Sequence, residues 1–356
     1  MNIFSAYSDE ILIVSYVLII FILSYFLTGL IRSYSLKHDV MDLPNERSLH
    51  HTPIPRGGGL SITLATIGSI LILILINWLP LKLGIIILLG CTLVSVVGWL
   101  DDHHDMPIFW RVLFYMVAAL IVVIPLGGME FIEIGESRYF LGGIGSIFAV
   151  LGIFWLTNLY NFMDGADGFA SSEAITTGIF AGFLFLINNQ NALAVICFVI
   201  AASCSGFLIW NWAPAKIFMG DVSSCFIGYM FGILAFIGGK TGEVNIYIWM
   251  ILLAVFIWDA TLTLFKRFAK REKWYSAHKS HSYQRLVQLG YSHSKLALAL
   301  IVINTMILWP AAYIAYRWNE LSFFISIISA VFIMILWILI QFSYERKLGK
   351  VNGGIM

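Results

Sequence analysis

Residues 144–187 read IGSIFAVLGIFWLTNLYNFMDGADGFASSEAITTGIFAGFLFLI, two apolar runs on either side of a short polar stretch. Each run is long enough to cross a hydrocarbon layer of roughly 30 Å at about 1.5 Å per residue. Between them Asn158, Asn161, Asp164 and Asp167 recur at a spacing of three, which predicts a polar stripe along one face of a helical segment. Gly165 and Gly168 stand beside the two acids, where a missing Cβ lets a ligand or another backbone approach. The plain alternative is a polar turn between two spanning helices. Carboxylates this close to hydrocarbon are costly, which makes a site as plausible as the turn.

Outward from this stretch the apolar pattern repeats. With 60% hydrophobic and 12% charged residues and a mean hydropathy of +0.89, the chain is far from a soluble domain, in which about a quarter of residues are charged. Apolar runs near 11–31, 58–79, 84–100, 108–126, 144–160, 169–187, 192–211, 222–238, 245–265, 296–316 and 321–342 predict an all-α polytopic membrane protein of about eleven transmembrane helices. No repeat or low-complexity tract divides it, so residues 1–356 read as a single membrane-embedded domain. The first run follows Asp9 and Glu10 without a basic leader and reads as a retained span. Cys91, Cys197, Cys204 and Cys225 have no metal-type spacing and read as small reduced hydrophobes.

Lysine and arginine collect in cytoplasmic loops. An outside N-terminus puts 17 of the 21 basic residues in the loops at 32–57, 101–111, 212–221 and 266–295 and in the tail, leaving Lys82, Arg138, Lys240 and Arg317 outside. The C-terminus is then cytoplasmic. Among the outer loops only 127–143 is long, and its alternating β-formers around Gly135-Glu136-Ser137 predict a small outer β-hairpin at 129–140.

With that orientation, every large polar cluster is cytoplasmic. The third helix ends in Asp101-Asp102-His103-His104-Asp105, and adjacent carboxylates repel unless a cation or proton is shared. An oxygen-only cluster suits Mg²⁺, to which Asp221, after Gly220 and just before an apolar span, adds a third carboxylate. Phe218 reads either as interface packing or as a stacking surface for a base. Lys266 to Lys273 reads as a basic segment on an anionic leaflet, whereas His278 and His281, three apart, put two phosphate-binding or proton-handling groups on one face. Gly57-Gly58-Gly59 at a helix start would offer backbone N–H groups to a phosphate, with Arg47 and Arg56 adding charge. Asp259 reads either as part of an apolar groove for a long ligand or as an ion-pair partner of Lys266 or Arg267.

Three of these stretches together resemble the polyprenyl-phosphate N-acetylhexosamine-1-phosphate transferases: Asp101-Asp102 after Gly-Trp-Leu, Asn161-Phe162-Met163-Asp164-Gly165-Ala166-Asp167-Gly168, and the Asn211 to Asp221 run ending Pro-Ala-Lys-Ile-Phe-Met-Gly-Asp. The resemblance spans roughly 42–290, and eleven helices with an outside N-terminus look like the branch that initiates O-antigen or related lipopolysaccharide glycans. It implies transfer of a sugar-1-phosphate from a UDP-N-acetylhexosamine to undecaprenyl phosphate at the cytoplasmic face of a bacterial inner membrane, with UMP released and Mg²⁺, or Mn²⁺ as its substitute, required. It implies Asp221 as a metal ligand with Asp102, Asp101 and Asp102 beside the reacting phosphates, and Asn161 and Asp164 positioning phosphate and ribose. Gly165, Ala166, Asp167 and Phe218 would form a uridine pocket, with Asn211 a further polar position; Asp101, Asp102, Asp164 and His281 are expected to be catalytic, and His278 and Arg56 to bind substrate. The stretch His278-Lys279-Ser280-His281-Ser282-Tyr283-Gln284 looks like that of members acting on 6-deoxy sugars such as UDP-N-acetylfucosamine or UDP-N-acetylquinovosamine, with UDP-N-acetylglucosamine the alternative donor. Nothing suggests nucleic acid, and a homodimer is left open.

Two rivals are weaker. A secondary transporter predicts acids near helix middles and paired halves. A CDP-alcohol phosphatidyltransferase needs an arginine shortly after the first Asp-Gly, where this chain has Ala166-Asp167-Gly168-Phe169-Ala170.

Overall fold

The computed structural model describes all residues except 1–2, 45–48, 50–51, 105, 274–277 and 354–356, with side chains also left out at 3–10 and 349–353. Arg47, His50, His51 and Asp105 therefore lie outside the described residues. The helices are α1 Ile3–Lys37, α2 Leu60–Leu75, α3 Leu81–His104, α4 Ile108–Leu126, α5 Gly143–Phe162, α6 Phe169–Ile187 and α7 Asn191–Asn211. They continue as α8 Asp221–Thr241, α9 Ile246–Leu252, α10 Ala254–Ala269, α11 Ser282–Gln288, α12 His293–Ile303, α13 Trp309–Arg317 and α14 Ser322–Gly353. Strands β1 Met41–Asp42 and β2 Ile54–Pro55 pair antiparallel, as do β3 Phe131–Ile134 and β4 Ser137–Phe140. The second pair is the hairpin expected at 129–140, with Glu133 opposite Arg138.

Helix α8 is the axis. Every residue from Val222 to Gly238 is buried, and a helix apolar all round belongs in the middle of a bundle. It packs against α3 and α5, while α6 and α1 pack against α7. The outer helices instead expose Leu, Ile and Phe, as a surface solvated by lipid requires, and all four cysteines are buried and unpaired.

The helix count differs from the expected eleven. Among the described residues nine helices are long and apolar enough to span a bilayer, and α9 with α10 makes a tenth, bent by 81°. The apolar run at 58–79 yields only the 16-residue α2, because the chain turns at Asn77, whose φ is +58°. The run at 296–316 is interrupted by a π-helical turn, Asn304–Leu308, next to Pro310, which has no N–H for the regular ladder. Asn304 Nδ2 there donates to Glu173 Oε2 at 2.7 Å, pinning the irregular turn to α6.

At one end of the bundle the C-terminal ends of α3, α5 and α7 meet the N-terminal ends of α4, α6 and α8, and the polar clusters gather there. The hairpin lies at the other end, beside α14 and α9: Tyr247 Oη donates to the Glu133 carbonyl.

Candidate active site

A cavity of about 240 Å³ opens at that end. Its lining includes the acids Asp42, Asp102, Asp164, Asp167 and Asp221, with Arg56 the one basic residue among its described lining. Gly165, Ala166, Asn211, Phe218 and Gln284 complete most of the wall. Nine of the residues expected from sequence thus share one cavity.

Asp102 has a structural task. Its Oδ1 accepts from the Asp221 amide and its Oδ2 from the Val222 amide, both at 3.1 Å, so a buried carboxylate of α3 caps the N-terminus of α8. The approach is close enough to require glycine on both sides. A Cβ on Gly98 would stand 2.5 Å from the Asp221 carbonyl, and one on Gly220, where φ is +82°, 2.7 Å from Asp102 Oδ2. Asp101 is turned away from the cavity; it accepts from the Met106 amide at 2.8 Å and pairs with Arg111. Arg111 also reaches Asp221 Oδ2 at 3.6 Å, so one guanidinium from α4 bridges the ends of α3 and α8.

The polar stripe expected over 158–167 does not form, because α5 ends at Phe162 and Asp164 and Asp167 lie in the turn before α6. Asn158 folds back on its own helix, donating to the Phe154 carbonyl, and Asn161 donates to Ser224 Oγ at 2.9 Å outside the cavity lining. What organises the turn is Asn211. Its Oδ1 accepts from the Gly168 amide at 3.0 Å and its Nδ2 donates to the Ile217 carbonyl, tying the loop before α6 to the loop before α8. Asp167 strengthens the tie by accepting from the Ala215 amide at 3.1 Å. Burial, then the charges of Asp221, Asp102 and Asp167, hold the Asp164 carboxyl well above the usual carboxylate range.

Gly58 and Gly59 donate their amides to the Phe218 and Met219 carbonyls, so they seat the loop rather than offer N–H groups to a phosphate. A Cβ on Gly59 would meet Ser223 Cβ at 2.3 Å. His281 is buried behind the wall, its ring 4.8 Å from that of His278 and 5.9 Å from that of Tyr283. Neither histidine lines the cavity. Burial, aided by Arg267, depresses the His281 pKa to about 3, and burial with the neighbouring histidine does the same for His278. This segment reaches the cavity through Gln284, whose Oε1 accepts from the His281 amide, while Tyr283 stands behind the wall, its hydroxyl donating to the Phe162 carbonyl at 3.0 Å and covering Gly165. Asp259 makes neither of the expected ion pairs: it accepts from the Ser282 and Tyr283 amides, capping α11, while Lys266 pairs with Glu345 and Arg267 with Glu272.

Sequence reading missed Arg111, Gln284 and His293. Arg111 counted only toward topology, although it stands at the head of the fourth apolar run, a place where a charge facing hydrocarbon would be expensive.

Among the described residues no three His, Cys, Asp or Glu side chains converge tightly enough to hold a metal between them. The donor chemistry nevertheless fits Mg²⁺, which takes one or two carboxylates and completes its shell with water and phosphate oxygens. Five carboxylates against one lining arginine leave negative charge for a cation to offset. Asp221, its side chain 28% exposed, is the best placed; Asp102, expected as a second ligand, already has both oxygens on backbone amides.

Residues 84–239, the part holding α3 to α8, match glycosyl transferase family 4. Over 314 residues, 87% of each chain, the protein is 28% identical to a probable undecaprenyl-phosphate N-acetylglucosaminyl 1-phosphate transferase of Bacillus subtilis. It is 27% identical over 330 residues to the decaprenyl-phosphate N-acetylglucosaminephosphotransferase of Mycobacterium leprae, covering 82% of this chain and 81% of that one. A Salmonella typhi undecaprenyl-phosphate alpha-N-acetylglucosaminyl 1-phosphate transferase is 24% identical over 299 residues, 81% of this chain and 80% of its own. The protein is an integral membrane sugar-phosphate transferase. In sequence it is similar to the polyprenyl-phosphate N-acetylhexosamine-1-phosphate transferases.

Proposed function

We propose that the protein transfers an N-acetylhexosamine-1-phosphate from a UDP-sugar to undecaprenyl phosphate, releasing UMP, at the cytoplasmic face of a bacterial inner membrane, and so initiates a surface glycan such as O-antigen. One observation carries this reading: the acid-lined cavity, walled by Gly165 and Gln284, is separated by Tyr283, whose hydroxyl lies against Gly165, from an apolar cavity of about 390 Å³ beside α10 and α12 that Tyr283 and Phe169 line. A polar donor and a prenyl chain can thus approach one another from two sides of one wall.

Mg²⁺ bound at Asp221 would polarise the donor diphosphate. Arg56 and Arg111 lower the repulsion between two anionic substrates. Gly165, Ala166 and Asp167 with the ring of Phe218 hold the nucleoside, and Asn211 keeps their loops in register. An oxygen of the lipid phosphate attacks the β-phosphorus; the bond from that phosphorus to the bridging oxygen breaks, and that oxygen leaves on UMP. Direct attack is favoured over a covalent aspartyl intermediate because Asp101 is engaged by Arg111 and the Met106 amide and Asp102 by two amides, leaving neither free as a nucleophile. Asp164, held well above the usual carboxylate range, is the cavity carboxyl suited to exchange a proton with the lipid phosphate.

The donor is a 6-deoxy N-acetylhexosamine on the strength of the His278 to Gln284 stretch, of which Gln284 reaches the cavity. UDP-N-acetylglucosamine is the second reading, favoured by the names of the relatives. Purified protein given undecaprenyl phosphate and each UDP-N-acetylhexosamine separately decides between them. Faster lipid product from UDP-N-acetylfucosamine or UDP-N-acetylquinovosamine supports the first, and turnover of UDP-N-acetylglucosamine alone replaces it with the second.

A further inference from the structure

The cavity wall carries a contact that the transfer chemistry does not use and whose second partner lies outside the matched residues 84–239. His293, the first residue of α12, reaches across to the turn before α6. The Asp167 amide donates to its Nδ1 at 3.2 Å, the same nitrogen lies 3.2 Å from Asp167 Oδ1, and both side chains are largely buried, at 15% and 12% exposure. The other oxygen, Oδ2, accepts from the Ala215 amide at 3.1 Å. Asp167 is therefore held by two elements, its backbone amide by the imidazole and its carboxylate by the loop before α8, and its tilt within the cavity wall is set by both. Without the imidazole the Asp167 amide loses its acceptor, and the turn that carries the carboxylate is held from the α8 side alone.

The rest of α12 gives this contact its direction. His293, Leu296, Leu300 and Ile303 follow spacings of three, four and three, which place them on one helix face. Leu296, Leu300 and Ile303 line the apolar cavity beside α10. The same face thus walls the apolar cavity and, one turn nearer the helix start, fixes a residue of the polar one.

We propose that His293 is a positioning residue: by orienting Asp167 it sets the affinity for the nucleoside part of the donor, without touching the reacting phosphates. This rests on the nucleotide-wall reading of Asp167 above. The test measures steady-state kinetics of His293→Leu and His293→Asn in detergent, varying donor and undecaprenyl phosphate separately, with equilibrium binding of UMP measured alongside. Asparagine places a polar atom near the position of Nδ1; leucine does not. The expected result for His293→Leu is a donor KM and a UMP Kd raised roughly tenfold, the scale of one hydrogen bond, with kcat and the acceptor KM within about twofold of the parent. His293→Asn should recover most of the loss, and in an Asp167→Asn background His293→Leu should add little, as coupled neighbours do.

Unchanged UMP binding in His293→Leu overturns the proposal. So does full additivity with Asp167→Asn, or a fall in kcat with donor KM unchanged. If His293→Leu does not fold, His293→Asn carries the test: UMP binding near the parental value, and failing when asparagine is replaced by alanine, supports positioning, whereas equal binding by both refutes it. Failure of the transferase reading is separable, since parental protein that binds UMP but makes no lipid product still reports on His293 through binding.

Discussion

Replacing Asp102 by asparagine distinguishes a helix cap from a metal ligand. The carboxylate receives the Asp221 and Val222 amides at 3.1 Å each, and the residue is 5% exposed. Asparagine keeps one acceptor oxygen and turns an NH₂ group toward the second amide. One charge-assisted bond, ~1.5–3 kcal/mol, is lost and the other weakens to a neutral bond of about 1 kcal/mol. Relief of repulsion with Asp221 returns part of this, for a net destabilisation of about 2–3 kcal/mol. Thermal unfolding in detergent should show a Tm lower by roughly 3–4 °C for a chain of this size, equally with and without Mg²⁺. Turnover should fall because the start of α8, and with it Asp221, is displaced. If Asp102→Asn unfolds at the parental temperature without metal yet needs far more Mg²⁺ for turnover, the capping argument is refuted and Asp102 is a ligand.

Asp221→Asn should unfold within about 1 kcal/mol of the parent, since the side chain is partly exposed, while losing Mg²⁺-stimulated UMP release by 10²-fold or more; normal UMP release would remove Asp221 from the mechanism. Arg111→Met leaves Asp101 and Asp221 facing each other without their shared cation, with an expected loss of about 3 kcal/mol in stability that added Mg²⁺ partly restores; a thermally silent variant would contradict the bridge. For pH, His281 sits at about 3 when folded against an ordinary value near 6.5. The unfolded chain therefore binds its proton first, the contribution is fully present above pH 6.5, and it is lost as pH falls toward 3. By pH 5.5 about 1.4 kcal/mol of it has been lost, so the stability difference between parent and His281→Gln should narrow by that amount from pH 7.5 to 5.5; a difference constant with pH would contradict a buried neutral imidazole.

Spans, hairpin and cavity residues were legible in sequence for different reasons. Apolar runs and basic loops report the bilayer directly, and Asp164 to Asp167 and Asn211 to Asp221 stand out as polar islands in that background. What stayed hidden depends on contacts distant in sequence. Asp102 and Asp221 look like two ligands for one ion because both are acidic, and only the packing of α3 on α8 shows that one caps the helix carrying the other. A spacing of three over Asn158 to Asp167 suggests a stripe, but periodicity does not announce that the helix ends at Phe162. The 81° bend between α9 and α10 falls at Leu253 in a run with neither glycine nor proline, so no local signal marks it. His293 reads as an ordinary polar residue at a helix start, and its partner Asp167 lies 126 residues away.

The central claim is that phosphate travels with the sugar. Purified protein in detergent, given Mg²⁺, undecaprenyl phosphate and UDP-N-acetylhexosamine labelled in the β-phosphate, should yield label in the lipid fraction and one UMP for each labelled lipid. Release of UDP with unlabelled lipid, or no lipid product from any donor of the panel, would contradict it.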